Sequence, residues 1–460
     1  MHLRFGILLV LAGGCGLDSG DRPAVLAPGV LQDVAGLVAA AVDEQQPPGA
    51  SLVVMRGDAI VLERGYGLES IERTDPVTPT TVFELGSISK QFTAALVLKL
   101  EEEGRLSLDD SAAKHLPDFT SLSPDLTIRH LLTHTSGMRE IFSQPELVAL
   151  FEKPGSSAEQ LEAVARQAPA DFAPGERWSY SNMNYLMLTF IAERATGQGL
   201  EDALSVHFFR PLALSSMRAC ESRPGGARGA ARGHLRTATG LVPHPPENFH
   251  LFIGAGGLCA NAVDLARWMQ ALATGKVLTP SSYAQMTAPA RLTGGRMADY
   301  GMGMVLVSPD GTRRLGHGGY GGGFSSQAAY YPERETTVVL MLNRFVFPEY
   351  VERRIARRLH GIPEATMSEV AITADERKRY AGTYDIGVSG SDSAVVERDG
   401  KLWFENRPLP PQPLTYVGNG EFVREGQPYG YRLYFGPDNP ERALRILGMG
   451  MMTWYGRRRP

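Results

Sequence analysis

The chain has 460 residues, 43% hydrophobic and 21% charged, a balance that excludes wholesale disorder and permits a large buried core. With 46 basic and 50 acidic residues the net charge is −4, and the short tail Arg457-Arg458-Arg459 does not alter it, so nucleic acid is not an expected partner. Three cysteines and no Cys/His cluster at metal-ligand spacing argue against a disulfide scaffold and a structural metal; no cofactor is expected.

The first 17 residues, MHLRFGILLVLAGGCGL, place one arginine before a short apolar run and small residues before Cys15. The run is too short to span a bilayer of about 30 Å but suits the apolar region of an export signal. Leu11-Ala12-Gly13-Gly14-Cys15 resembles a bacterial lipoprotein cleavage box, in which Cys15 is lipidated and anchors the mature chain to a membrane. An ordinary signal peptide with a coincidental cysteine is the competing reading. Both predict export, to the periplasm or a membrane surface. No later segment is apolar enough for a spanning helix. Cys220 and Cys259 are expected to be buried free thiols, since sequence alone does not bring them within about 6 Å.

Apolar residues at helical spacing predict a helix over 31–42. Two β-branched runs, 51–55 and 59–63, flank Arg56-Gly57-Asp58 and read as a hairpin. Residues 91–100 are apolar on nearly every side, which predicts a buried central helix ending near Gly104. Further helices are expected over 158–167, over 182–196 with Gly197 as the stop, and over 262–273 with Asn261 as N-cap and Gly275 beyond the end. Arg223 to Gly233 reads as an exposed loop. Strand signals return over 302–307, 324–331 and 336–342, followed by a helix over 351–359. Strands at both ends of a helical middle predict an α+β fold, with one antiparallel sheet flanked by helices and a helical subdomain. Beyond a boundary near 361–373, short alternating runs predict a small β domain over 374–460.

Three segments carry chemistry. Ser87-Ile88-Ser89-Lys90 opens the central helix, and the i, i+3 spacing puts Ser87 and Lys90 on one face. A serine at a helix N-terminus has N–H groups ready for a developing oxyanion. Lysine serves as its base only when neutral, which requires roughly 4.6 kcal/mol of destabilisation of the ammonium, within reach of a desolvated site. Alone the motif is weak, because 28 serines and seven lysines yield about 0.4 chance matches; a helix cap beside an ordinary lysine accounts for it equally. Second, Tyr180-Ser181-Asn182 precedes the 182–196 helix. The Tyr180 hydroxyl could relay a proton, and Asn182 could bind a substrate amide or hold Lys90. A half-buried structural tyrosine is the blander reading. Third, His317-Gly318-Gly319-Tyr320, within a glycine-rich stretch before a strand, lets backbone approach a ligand closely. The N–H of Tyr320 could pair with that of Ser87 as an oxyanion hole. A flexible hairpin is the alternative.

As a set, these three segments resemble the penicillin-recognising serine hydrolases: class C β-lactamases, D-alanyl-D-alanine carboxypeptidases, D-aminopeptidases and related esterases. Supporting matches are Thr127-Ile128-Arg129-His130-Leu131-Leu132-Thr133-His134-Thr135-Ser136-Gly137, Gly256-Gly257-Leu258 and Asp264-Leu265-Ala266-Arg267-Trp268. The resemblance spans about 30–362 and implies a β-lactamase/transpeptidase-like fold. It further implies an acyl-enzyme on Ser87, proton transfer by Lys90 and Tyr180, substrate orientation by Asn182, and an oxyanion hole from the N–H groups of Ser87 and Tyr320. The substrate is then a small molecule or peptide. One departure matters: His317-Gly318-Gly319 stands where β-lactamases and carboxypeptidases of the family usually carry Lys-Thr-Gly. Losing a fixed positive charge favours an esterase- or peptidase-like member, with His317 expected to tune the pH dependence. A β-lactamase, a carboxypeptidase acting on cell-wall peptides, and a catalytically silent scaffold are the competing readings. Tyr380-Ala381-Gly382-Thr383-Tyr384 resembles the start of barrel-like domains appended in this family.

Overall fold

The computed structural model describes residues 26–458, apart from residue 28, 46–47, 154, 221–228, 246, 308–310, 345–347, 365–367, 386–391, 407–410, 426–431, 436–443 and 449–451. The export signal, Cys15 and most of the Arg223 to Gly233 loop lie outside the described residues.

A six-stranded antiparallel sheet is built from both ends of the main body. Its strands are β1 (Gly49–Arg56), β2 (Ala59–Gly67), β3 (Val305–Val307), β4 (Arg314–Gly321), β5 (Phe324–Tyr331) and β6 (Thr336–Leu342), in the order β3-β4-β5-β6-β1-β2. The central strands are buried on both faces. Period-two alternation sends Leu52, Val54, Val338 and Leu340 to one side, where they meet helices α1 (Val30–Gln45) and α5 (Glu349–Leu359). Val53, Val339 and Met341 go to the other side, under α4 (Ala262–Ala273) and the main core.

The core of the helical part is α2 (Ser89–Glu102), whose residues 89–98 are all buried, packed on α3 (Asn182–Thr196). Phe92 stacks on Trp268 of α4 with ring centroids 4.0 Å apart. Burying a ring of that size contributes about 2–3 kcal/mol. The chain signals terminate these helices as their sequence suggests. Gly197 adopts a left-handed conformation, φ 71°, after α3, and the Asn261 side chain accepts the Asp264 N–H to start α4.

Two expectations are corrected. Cys220 and Cys259 are not free thiols: they form a disulfide, with Cα atoms 5.1 Å apart. The strand Leu258–Asn261 pairs with Arg218–Ala219 in a small three-stranded sheet, and this pairing, invisible in the local sequence, brings the two cysteines together. The 302–307 run is a strand only over Val305–Val307, whereas the glycine-rich stretch before β5 is itself the full strand β4. The C-terminal part closes into an eight-stranded antiparallel barrel, from Gly382–Asp385 to Met452–Arg458. Its Tyr380, Tyr384 and Phe422 belong to one apolar cluster with Trp178, Tyr300 and Val307 of the main body.

Candidate active site

The short strand Val82–Glu84 runs into a single 3-10 turn, Gly86–Ile88, that leads directly into α2. Ser89 ties this turn down: its hydroxyl donates to the Gly86 carbonyl at 2.8 Å and accepts the Leu258 N–H at 3.1 Å. Ser87 is thereby held, half-buried, at the start of the buried helix. Lys90 follows one turn later and is completely buried.

The Lys90 Nζ donates to Ser87 Oγ at 3.0 Å, Asn182 Oδ1 at 2.7 Å and the Ala255 carbonyl at 2.6 Å. The last two are acceptors that never donate in this arrangement, so they hold two N–H groups in either protonation state. When the amine is neutral, its lone pair is left facing Ser87. Desolvation pushes Lys90 down to about 7, against the opposing pull of the Glu140 charge. Tyr180 donates its hydroxyl proton to Ser87 Oγ at 2.8 Å. Desolvation pushes its phenol well up, so it remains a neutral donor. Ser87 Oγ therefore sits between a titratable amine and a fixed proton donor.

On the opposite side, β3 stops at the register of Gly316, so the end of β4 lies alongside the Ser87 turn rather than another strand. Here glycine is obligatory twice. A Cβ on Gly319 would sit 1.7 Å from the Leu85 carbonyl oxygen, and one on Gly86, φ +54°, would sit 2.5 Å from the Tyr320 backbone nitrogen. The backbone N–H groups of Ser87 and Tyr320 are thus brought to the same small region. The Tyr320 side chain turns away to donate to Glu349.

The remaining expected residues take definite places. Asn182 accepts from Lys90 through Oδ1 and donates one Nδ2 hydrogen to Glu140, so it ties the lysine to Glu140. His317 is wholly buried; its Nδ1 donates to the Gly318 carbonyl at 2.6 Å, which leaves Nε2 to accept from the Tyr300 hydroxyl at 3.1 Å. Desolvation, then the Lys90 charge, pushes His317 down to about 3. Held neutral by burial, it brings no change of charge of its own to Lys90 near pH 7, which speaks against the expected tuning of pH dependence. It packs behind the site, with Tyr300 and Tyr180.

Sequence reasoning missed Glu140, which sits before a 3-10 turn, Ile141–Ser143, and accepts both the Asn182 backbone N–H at 2.5 Å and its Nδ2 at 2.7 Å. No local motif marks it, because its partner lies 42 residues away. Also missed was Phe142, 58% exposed, which joins Phe151 and Phe252 in an apolar wall two residues from Glu140.

The beta-lactamase family pattern matches residues 34–362. The chain belongs to the beta-lactamase family. It is a serine hydrolase of that family. Penicillin-binding protein 4* of Bacillus subtilis is 28% identical over 391 residues, 79% of this chain and 84% of that protein. The D-aminopeptidase of Brucella anthropi is 27% identical over 331 residues, covering 71% of this chain but only 62% of the relative's length. Among solved structures, the octameric penicillin-binding protein homologue from Pyrococcus abyssi has the same fold, with a TM-score of 0.67 at 22% identity over 93% of this chain and 99% of that one.

Proposed function

We propose that this member of the family is an exported hydrolase that opens an ester or amide bond through an acyl-enzyme on Ser87. The observation that carries this reading is the pair of contacts on one oxygen: Lys90 Nζ and Tyr180 OH both reach Ser87 Oγ, and Lys90 is half neutral near pH 7. Neutral Lys90 takes the Ser87 proton as Oγ attacks the carbonyl carbon. The developing oxyanion meets the N–H groups of Ser87 and Tyr320, each such donor stabilising the transition state by about 2.7–4 kcal/mol. Tyr180 gives its proton to the departing alkoxide or amine, and the Lys90 ammonium restores it. Water then follows the same path in reverse to release the acid and regenerate Ser87.

The catalytic part occupies residues 30–362 and the small β domain 374–460. A neutral, buried His317 in place of a fixed cation favours small-molecule or peptide substrates that need no carboxylate, in line with the esterase- and peptidase-like members. Export is supported by the leader over 1–15, with lipidation at Cys15 attaching the chain to a membrane, and by the Cys220–Cys259 bridge, since disulfides persist in oxidising compartments.

The test compares three substrates under one set of conditions: a p-nitrophenyl acyl ester, a chromogenic cephalosporin, and a stem peptide ending in D-alanyl-D-alanine. Ester turnover that greatly exceeds the other two and disappears in Ser87→Ala is expected. Cephalosporin turnover matching the ester supports the β-lactamase reading instead, and D-alanine release supports the carboxypeptidase. Undiminished turnover in Ser87→Ala overturns the mechanism.

A further inference from the structure

Asn182 presents an amide whose two ends are nearly the same size, so shape alone does not decide which end faces Lys90. What decides it is Glu140. Its carboxylate accepts from Asn182 Nδ2, from the Asn182 backbone N–H and from the Phe142 backbone N–H. Burial pushes the Glu140 carboxyl up, and these three donors together with the Lys90 charge pull it back towards the ionised form that three converging donors match. Flipping the amide would place Oδ1 against that carboxylate and the NH2 group against the lysine ammonium, two repulsive contacts in place of two attractive ones.

Resting on the Ser87 acyl-enzyme reading, we propose that Glu140 is the positioning residue of this site: it locks the Asn182 amide with Oδ1 towards Lys90, and it holds a negative charge one amide away from the base.

The groups around Lys90 make that charge distinctive. From the start of α2 comes the Ser87 hydroxyl, and from the segment before Leu258–Asn261 the Ala255 carbonyl. The Tyr180 ring lies 4.8 Å from Nζ and the Tyr185 ring of α3 5.6 Å away. His134 and His317 both interact with the lysine charge, and burial holds both neutral near pH 7. Glu140 is the carboxylate that acts on Lys90, and it does so across Asn182 rather than by direct contact. A direct ion pair would fix the ammonium; an amide between them transmits part of the attraction and leaves the lysine able to titrate.

The test has two readouts. With only seven lysines in the chain, 13C-labelled lysine ε-carbons can be followed by NMR, and Lys90→Arg identifies the Lys90 signal. In Glu140→Gln the Lys90 midpoint is expected to fall by on the order of one pH unit, because a charge that favours the ammonium is gone. The acid limb of kcat/KM for a p-nitrophenyl acyl ester is expected to move down with it. The kcat at its optimum should drop at least ~10-fold, because Asn182 no longer fixes Lys90. A wild-type midpoint in a folded Glu140→Gln protein overturns the proposal. Should that variant fail to fold, Glu140→Asp decides: charge kept and reach shortened predict a near-wild-type midpoint with lowered kcat, and a wild-type kcat contradicts the positioning role. If the unmutated protein forms no acyl adduct on Ser87, the functional reading fails by itself, while the Lys90 titration still reports on Glu140.

Discussion

Among the described residues, the side chains of Lys90 and Arg314 are completely buried, and these two cations are treated in opposite ways. Arg314 in β4 donates to Glu352 of α5 at 3.1 Å and to Gln327 at 2.9 Å, and Glu352 also accepts from Tyr331 at 2.6 Å. Burial works against the Arg314 charge, but Glu352 and Tyr331 together outweigh it and push the guanidinium up, so it remains charged. Among the described residues, no carboxylate is in contact with Lys90. The Glu140 charge reaches it through Asn182, and desolvation wins, pushing the amine down to about 7. Direct pairing makes a permanent fastener of the sheet and helix; a charge held at one remove makes a proton acceptor.

Substitutions that convert one arrangement into the other test this contrast. Lys90→Arg installs a cation that does not deprotonate, turning the titratable site into a fixed one, and ester turnover should fall by at least ~100-fold. Turnover within about tenfold of the unmutated protein, measured by nitrophenol release, argues that Lys90 is not the base. Glu352→Ala leaves Arg314 buried and unpaired, and denaturant unfolding should show a loss of about 3–5 kcal/mol. Replacing both partners by apolar residues, Arg314→Met with Glu352→Leu, should cost far less; an equal cost would show that the site tolerates the lone charge no worse than the apolar pair.

The pH profile gives a smaller effect with a definite sign. Lys90 acts in its neutral form, so kcat/KM should rise with pH through about 7 and decline about tenfold per unit below that. A flat profile between pH 5 and 8 contradicts this. The smallest effect is expected at His317, already neutral there with a value near 3. His317→Gln should lose less than about tenfold in rate, the scale of a disturbed buried hydrogen bond, and leave the limb where it was. A limb displaced by a full unit would show that His317 acts on the base after all.

The parts of the fold legible in the sequence are those specified by local pattern. Helices α2, α3 and α4 announce themselves through apolar density and through Asn261 and Gly197 at their ends. Ser87, Lys90, Tyr180, Asn182 and the His317-Gly318-Gly319-Tyr320 stretch stand in recognisable motifs, and the structure brings them into one neighbourhood. What stayed hidden depends on contacts between distant segments. Glu140 meets Asn182 across 42 residues, and Cys220 meets Cys259 across 39. Strand β4 was obscured by its own glycines, which weaken any strand signal; at Gly319 one is required because Leu85 and Gly86 pass too close for a side chain, and at Gly316 because Ala328 does.

The most direct test is the intact mass of the protein within seconds of mixing with a p-nitrophenyl acyl ester, followed by peptide mapping. The predicted result is a single added acyl group on the peptide containing Ser87, absent in Ser87→Ala and strongly reduced in Lys90→Arg. No adduct, with nitrophenol release at the Ser87→Ala background, or an adduct on another residue, would contradict the acyl-enzyme account.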